Sequence, residues 1–182
     1  MVILKSPFVH FIKENFLEAK LFSELKNSIE HLQWEEAKSE EYLKDNSTFQ
    51  STEYVISHVA KNSFSFFLSD SWIGTLNQYF NLGLRQCTTA VFLKMNKGFF
   101  NFVHSDENSF GELVRLILYI SDSNEYDGGE LVLHNNDSEK SIYSEIKFRS
   151  NTIFGFRMSA NSFHSVNEIT RGCRICLSLT YS

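Results

Sequence analysis

Proline is almost missing from this chain of 182 residues: only Pro7 is present. That excludes collagen-like and polyproline architectures. Cysteine is scarce too. Cys87, Cys173 and Cys176 are an odd number without framework spacing, which excludes a disulfide scaffold and fits reduced thiols in a cytoplasmic protein. No run approaches 18 uninterrupted apolar residues, so no membrane-spanning helix is expected. The opening MVILKSPFVHFIKENF is broken by Lys5, Lys13 and Glu14 and has no small-residue cleavage site, so it does not read as a signal peptide. Clustered positive charge is also lacking. The 17 basic residues form neither run nor stripe, net charge is −5 and the pI is about 5.7, so no nucleic-acid partner is expected.

What the chain does have is globular. Hydrophobic residues make up 42% and charged residues 21%, and 18 of the residues are Phe, an aromatic residue enriched in strands. The length argues for one domain over 1–182, with 1–85 as a helical or mixed support region and 86–182 as a β-rich core. Residues 8–37 carry helical periodicity through Phe8, Phe11, Ile12, Phe16, Leu17, Leu21, Leu25, Ile29 and Leu32, with a turn near Asn15 or Ala19 as a break point. Residues 52–59 read as a strand. Residues 64–82 read as a helix, with Ser69 or Asp70 available as its cap. After Arg85 the texture changes to about eight short strands, including CTTAVFLKM, FFNFVHSD and the largely apolar ELVRLILYIS, with tight turns at Asn96-Lys97-Gly98 and Tyr126-Asp127-Gly128-Gly129. This pattern predicts a mainly β sandwich or barrel buttressed on one face by N-terminal helices.

The chemistry concentrates on few residues. Of six histidines, His10, His31 and His58 have no acidic companion at a telling spacing and are expected to be structural. His104 differs, because it stands in His104-Ser105-Asp106. On a strand, residues i and i+2 share a face, so the imidazole and the carboxylate converge. His164, in SFHSV on a late strand, is the natural third ligand. Two histidines and a carboxylate on one face of Fe(II) leave three positions open for cosubstrate and O2. HxD alone is a weak signal. Its context is stronger: ten residues after His164, Arg174 points into an apolar strand, where an unpaired cation is costly and a planar guanidinium suits a carboxylate.

With those residues in order, the chain resembles the Fe(II)/2-oxoglutarate-dependent dioxygenases of the prolyl 4-hydroxylase-like superfamily. KMNKGFFNFVHSD resembles that family's strand, glycine turn and HxD. LILYISDSNEYDGGELVL resembles its apolar strand and acidic GGEL turn, and NTIFGFRMSANSFHSVNEITRGCRICLSL resembles its closing strands. The resemblance covers about residues 88–182 and implies a double-stranded β-helix, a cupin-like jelly roll. It implies Fe(II) on His104, Asp106 and His164, with the distal carboxylate of 2-oxoglutarate on Arg174. Tyr119 stands where many relatives place a tyrosine whose hydroxyl helps hold that carboxylate, although a core aromatic fits the same strand position. O2 is the implied oxidant, and ascorbate is a further candidate cofactor.

The implied reaction couples decarboxylation of 2-oxoglutarate to succinate with hydroxylation of a peptidyl proline, an amino acid or another small molecule. Asp106 favours hydroxylation, since related halogenases carry Ala or Gly there. Met95 and Cys176 depart from the family's more polar residues at those positions. Arg115, four residues before Tyr119 on the same strand face, is a candidate for an anionic substrate group, although an ion pair or a solvated strand end is the commoner fate of such a residue. Asn101, Arg157 and His134 are further pocket-lining candidates, and Phe99, Phe100 and Phe102 are expected to keep the metal pocket dry. The alternative is a non-catalytic metal- or ligand-binding jelly roll, a sensor or scaffold. A redox or zinc site at Cys173 and Cys176 is the poorest reading, since those positions face opposite sides of a strand. Neither partner protein nor oligomeric state is legible.

Overall fold

The computed structural model describes residues 2–30, 32, 34–36, 51–55, 61–107 and 111–182. The chain begins with a short strand β1 (His10–Lys13), then helix α1 (Ala19–Ile29), strands β2 (Glu35–Glu36) and β3 (Ser51–Val55), and helices α2 (Lys61–Leu68) and α3 (Asp70–Phe80). The strands that follow are β4 (Cys87–Asn96), β5 (Asn101–His104), β6 (Val114–Tyr119), β7 (Tyr126–Gly128), β8 (Leu131–His134), β9 (Ile142–Ile146), β10 (Thr152–Arg157), β11 (His164–Val166) and β12 (Ile169–Tyr181).

They form two antiparallel sheets. The larger runs β1-β10-β6-β12-β4-β3-β2, with β7 also on β12, and the smaller runs β5-β11-β8-β9. The architecture is mainly β with helices buttressing one face, as the strand spacing predicts, and it is the double-stranded β-helix (jelly roll) that the family resemblance implies.

Strand alternation divides the large sheet into two cores. Val114, Leu116, Leu118, Ile153, Leu177 and Leu179 face Leu25, Ile29, Trp72, Ile73, Leu76 and Phe80 of the helices. The alternate residues Tyr119, Phe154, Phe156, Met95 and Cys176 face Leu131, Leu133 and Val166 of the small sheet. The N-terminal helices therefore cover the sheet. Ser69 caps α3, its Oγ accepting from the Trp72 amide at 3.2 Å, so the helical stretch 64–82 is two helices broken at that cap.

Two expectations need correction. Helical periodicity from residue 8 gives way to β1, which completes the sheet edge by pairing with β10, His10 opposite Phe156 and Ile12 opposite Phe154. The chain then turns at Asn15, in the left-handed region at φ 48°, before α1 begins at Ala19. The strand at 52–59 appears as β3 to Val55, and residues 56–60, His31 and His58 lie outside the described residues. The turn at 126–129 contains a short strand, β7, and Gly128 ends it at φ 76°, where a Cβ would overlap the Glu168 carbonyl.

Gly155 matters for a different reason. It sits on β10 opposite both Phe11 and Leu116, on the helix side. A Cβ there would lie 2.5 Å from the Phe11 ring and 2.6 Å from Leu116 Cδ2, both buried. Gly155→Ala is therefore expected to destabilise the fold by about 1–3 kcal/mol through overpacking. Urea denaturation should show a lower midpoint at unchanged slope, and an unchanged midpoint would contradict this packing.

Candidate metal and carboxylate site

The end of β5 and the start of β11 are register partners, His104 opposite His164, so strand pairing alone sets the two imidazoles side by side. Their ring centroids are 4.4 Å apart. Each ring is oriented from behind. His104 Nδ1 lies 2.8 Å from the Phe102 carbonyl oxygen, and His164 Nδ1 lies 2.9 Å from that of Ser162. A carbonyl oxygen only accepts, so Nδ1 carries the proton and each Nε2 presents a lone pair.

Asp106, two residues past His104, brings its carboxylate to both rings. Oδ1 is 3.6 Å from His104 Nε2, and Oδ2 is 3.5 Å from His164 Nε2. One ligand atom from each of the three residues lies within 4.8 Å of the others, the one such group found among the described residues.

The electrostatics suit a cation. His164 is 4% exposed, and burial pushes its pKa down to about 4, against the pull of Asp106, so the ring is neutral at pH 7. Burial alone would raise the Asp106 pKa, but Arg115 and the two imidazoles outweigh it and hold the carboxyl below its ordinary value. Ligand atoms bound to one ion at about 2.0–2.2 Å sit about 3 Å apart in cis positions, so this set, whose atoms lie within 4.8 Å of one another, would draw together on binding an ion. Two imidazole nitrogens and a carboxylate oxygen are the donor set of non-haem Fe(II). These residues fit that ion.

Arg174, in register with Met95 across β12 and β4, is 3% exposed. Nη1 donates to the Gly129 carbonyl, Nη2 lies 2.8 Å from Met95 Sδ, and Nε is buried without a hydrogen-bond partner. Among the described residues no carboxylate forms an ion pair with it. The guanidinium carbon lies 5.7 Å over the Tyr119 ring, so the two residues carried over for the cosubstrate carboxylate are neighbours. Tyr119 also stacks on Phe148 at 4.1 Å, and burial raises its hydroxyl pKa despite Arg174. Cys176, opposite Tyr119, is buried and its thiol is pushed up to about 11. Cys173 is half-buried with its pKa also raised by burial, so neither cysteine has the thiolate character of a redox pair.

The other candidates disperse. Asn101 and His134 line a separate cavity of about 350 Å³ that includes neither the histidine–aspartate group nor Arg174. There His134 Nε2 pairs with Ser165 Oγ at 2.8 Å. Arg157 is exposed, and His10 is buried against Phe8 with its Nδ1 on the Phe8 carbonyl. Phe99 is core, but Phe102 is 42% exposed and lines the separate cavity with Phe100. Arg115 was the residue whose partner the sequence could not name. Its Nη1 meets Asp106 Oδ1 at 2.8 Å. The commoner fate of a strand arginine holds, but the partner is the carboxylate of the metal-ligand group.

A model of the 2OG-Fe(II) oxygenase superfamily matches residues 90–181. The chain belongs to that superfamily. The chain also resembles a PKHD-type hydroxylase of Gluconacetobacter diazotrophicus, 43% identical over 58 residues, a stretch that is 32% of this chain and only 23% of the relative. Among solved structures, a Pseudomonas putida prolyl-4-hydroxylase superposes with a TM-score of 0.70 at 18% identity, covering 94% of this chain and 91% of the other. A Trichoplax adhaerens prolyl hydroxylase, in complex with a hypoxia inducible factor peptide fragment, gives 0.72 at 16% identity over 94% and 82%. HygX from Streptomyces hygroscopicus, with nickel, 2-oxoglutarate and hygromycin B bound, gives 0.66 at 12% identity over 95% and 82%. These likenesses carry the fold. The family implies Fe(II) and 2-oxoglutarate. Among the described residues no helix is long and apolar enough to cross a membrane.

Proposed function

We propose that this oxygenase hydroxylates a peptide or small molecule, with His104, Asp106 and His164 holding Fe(II) and Arg174 holding the distal carboxylate of 2-oxoglutarate. The observation that carries the reading is the convergence of two Nε2 lone pairs and one carboxylate, together with a buried Arg174 that forms no ion pair with a carboxylate among the described residues. When bound, the metal supplies the O2 chemistry that couples decarboxylation of 2-oxoglutarate to C–H oxidation.

The chain's own part is orientation and exclusion. The Phe102 and Ser162 carbonyls fix the rings. Arg174 offers its Nε and positive charge to a carboxylate, and the Tyr119 hydroxyl supplies a second donor there. Phe156, 5.1 Å from the His164 ring, keeps one side apolar. Met95 stands where a more polar relative would offer a donor, so Arg174 carries more of the cosubstrate's charge. The neighbours' bound molecules, a hypoxia inducible factor peptide fragment and hygromycin B, support a peptide or small-molecule substrate beside the cosubstrate; O2 as oxidant and ascorbate as accessory reductant belong to the same proposed reading. We also read residues 1–182 as one catalytic domain, since helix and sheet side chains share a core, and its three free cysteines favour a reducing compartment such as the cytoplasm.

The test is spectroscopic. Anaerobic addition of Fe(II) and then 2-oxoglutarate should produce a weak metal-to-ligand charge-transfer band in the visible, and admitting air should yield succinate. Absence of both would sink the reading. A band without succinate would favour a sensor or scaffold.

A further inference from the structure

The two histidines and the aspartate are held in different ways. Each imidazole is fixed by the carbonyl two residues back along the chain, that of Phe102 on β5 and that of Ser162 just before β11. Asp106 lies past the end of β5, outside its ladder, and reaches the site from a segment with no regular backbone pairing. What grips its carboxylate comes from the opposite sheet. Arg115 stands on β6, in register with Phe156 on one side and Thr180 on the other. It shares the interior face with Ile117 and Tyr119. Its Nη1 is 2.8 Å from Oδ1, closer than either imidazole is to the carboxylate, and Asp106 is 8% and Arg115 26% exposed at the side chain.

We propose that Arg115 is a positioning residue that makes Asp106 a one-oxygen ligand and so preserves the third open position that the reaction needs. The proposal rests on the metal-site reading above. The reason is a count of positions. A six-coordinate ion held by two imidazoles and one carboxylate oxygen keeps three sites, two for the chelating 2-oxoglutarate and one for O2. A carboxylate free to turn can bind through both oxygens, as carboxylate ligands do when nothing competes for the second. That would leave two sites, and the cosubstrate would fill them. Arg115 competes for Oδ1 with a charge-assisted hydrogen bond, which is short and strong, and leaves Oδ2, on the His164 side, to the metal. An outer partner of this kind is expected to set ligand orientation and affinity together.

The test uses the full chain and Co(II), which binds such sites without reacting with O2 and reports its coordination in the visible spectrum. Wild type should bind one Co(II) by calorimetry. Arg115→Leu should bind it about 10–100-fold more weakly, with a visible spectrum of altered shape, because Oδ1 is released to the metal. Arg115→Lys, which keeps the charge and one donor, should recover most of the affinity and the wild-type spectrum. A role confined to packing would lower the melting temperature of Arg115→Leu but leave the Co(II) spectrum as in wild type, and that result would overturn the proposal. So would Arg115→Lys behaving no better than Arg115→Leu. If Arg115→Leu does not fold, Arg115→Lys against wild type decides: a spectrum unlike wild type would overturn it. Failure of wild type itself to bind Co(II) would instead remove the metal-site reading beneath it.

Discussion

His164→Ala should show no charge-transfer band when Fe(II) and 2-oxoglutarate are added without air, and its succinate formation should fall at least about a thousandfold, some 4 kcal/mol at 1.36 kcal/mol per decade. The size of the effect follows from position. His164 is buried between Phe156 and His104, and its Nδ1 is committed to the Ser162 carbonyl, so no neighbour can swing in to replace its Nε2. A surface histidine would be replaced by water at little loss. Here the loss leaves one imidazole and one carboxylate, a set that still attracts a cation but does not fix it. Undiminished succinate in this variant would place the iron elsewhere.

The same variant tests the electrostatics. The folded protein keeps His164 neutral down to about pH 4, while the unfolded chain takes up that proton near 6.5. Between those values the unfolded state binds more protons, so wild-type metal-free protein loses stability as pH falls through this window, by up to about 3 kcal/mol. The stability that the buried, neutral ring allows is fully present above pH 6.5. His164→Ala removes this term, so its urea midpoint should fall less between pH 7 and pH 4.5 than that of wild type. Equal slopes would mean that the ring already titrates normally.

What could be seen in the sequence depended on whether a contact is local. His104 and Asp106 are two residues apart, so strand alternation alone sets them together, and His164 and Arg174 are ten apart on successive strands with a recognisable order. The apolar strand at 114–119 and the cap at Ser69 were legible for the same reason, each being a pattern within one segment. β1 was not. Phe8, Phe11 and Ile12 satisfy a helical spacing, and only the free edge of β10, more than 140 residues away in sequence, turns that segment into a strand. The Arg115–Asp106 pair was hidden by the same kind of separation. An arginine at the start of an apolar strand names no partner, and its partner sits on the other sheet, brought opposite by closure of the jelly roll. Phe102 shows the converse error. It shares a strand with His104 but is largely exposed and lines the separate cavity, and aromatic content near a ligand did not reveal which rings face the site.

Arg174→Met should separate binding from stability, with opposite signs. Methionine keeps most of the volume of the side chain and discards its charge. In the protein without cosubstrate, the guanidinium is bonded to the Gly129 carbonyl and the Met95 sulfur, and its Nε is buried without an acceptor. A cation so placed was taken out of water with no carboxylate paired to it among the described residues, and replacing such a group with an apolar side chain of similar size is often neutral or stabilising. The metal-free variant should therefore melt at or slightly above the wild-type temperature. Binding should go the other way. A dianionic cosubstrate entering beside Tyr119 would meet no positive charge there, and losing one partner of a buried charge pair costs about 2–4 kcal/mol, or about 30- to 700-fold in 2-oxoglutarate affinity. Fe(II) affinity in the absence of 2-oxoglutarate should be unchanged, since no ligand atom of the His104, Asp106 and His164 group is bonded to Arg174. Titrating the charge-transfer band with 2-oxoglutarate in both proteins, alongside thermal melts, measures both signs. A variant that melts many degrees lower but still binds 2-oxoglutarate like wild type would make Arg174 a structural tie between β12 and the Gly129 turn. The cosubstrate's carboxylate would then have to be held by another residue of the barrel.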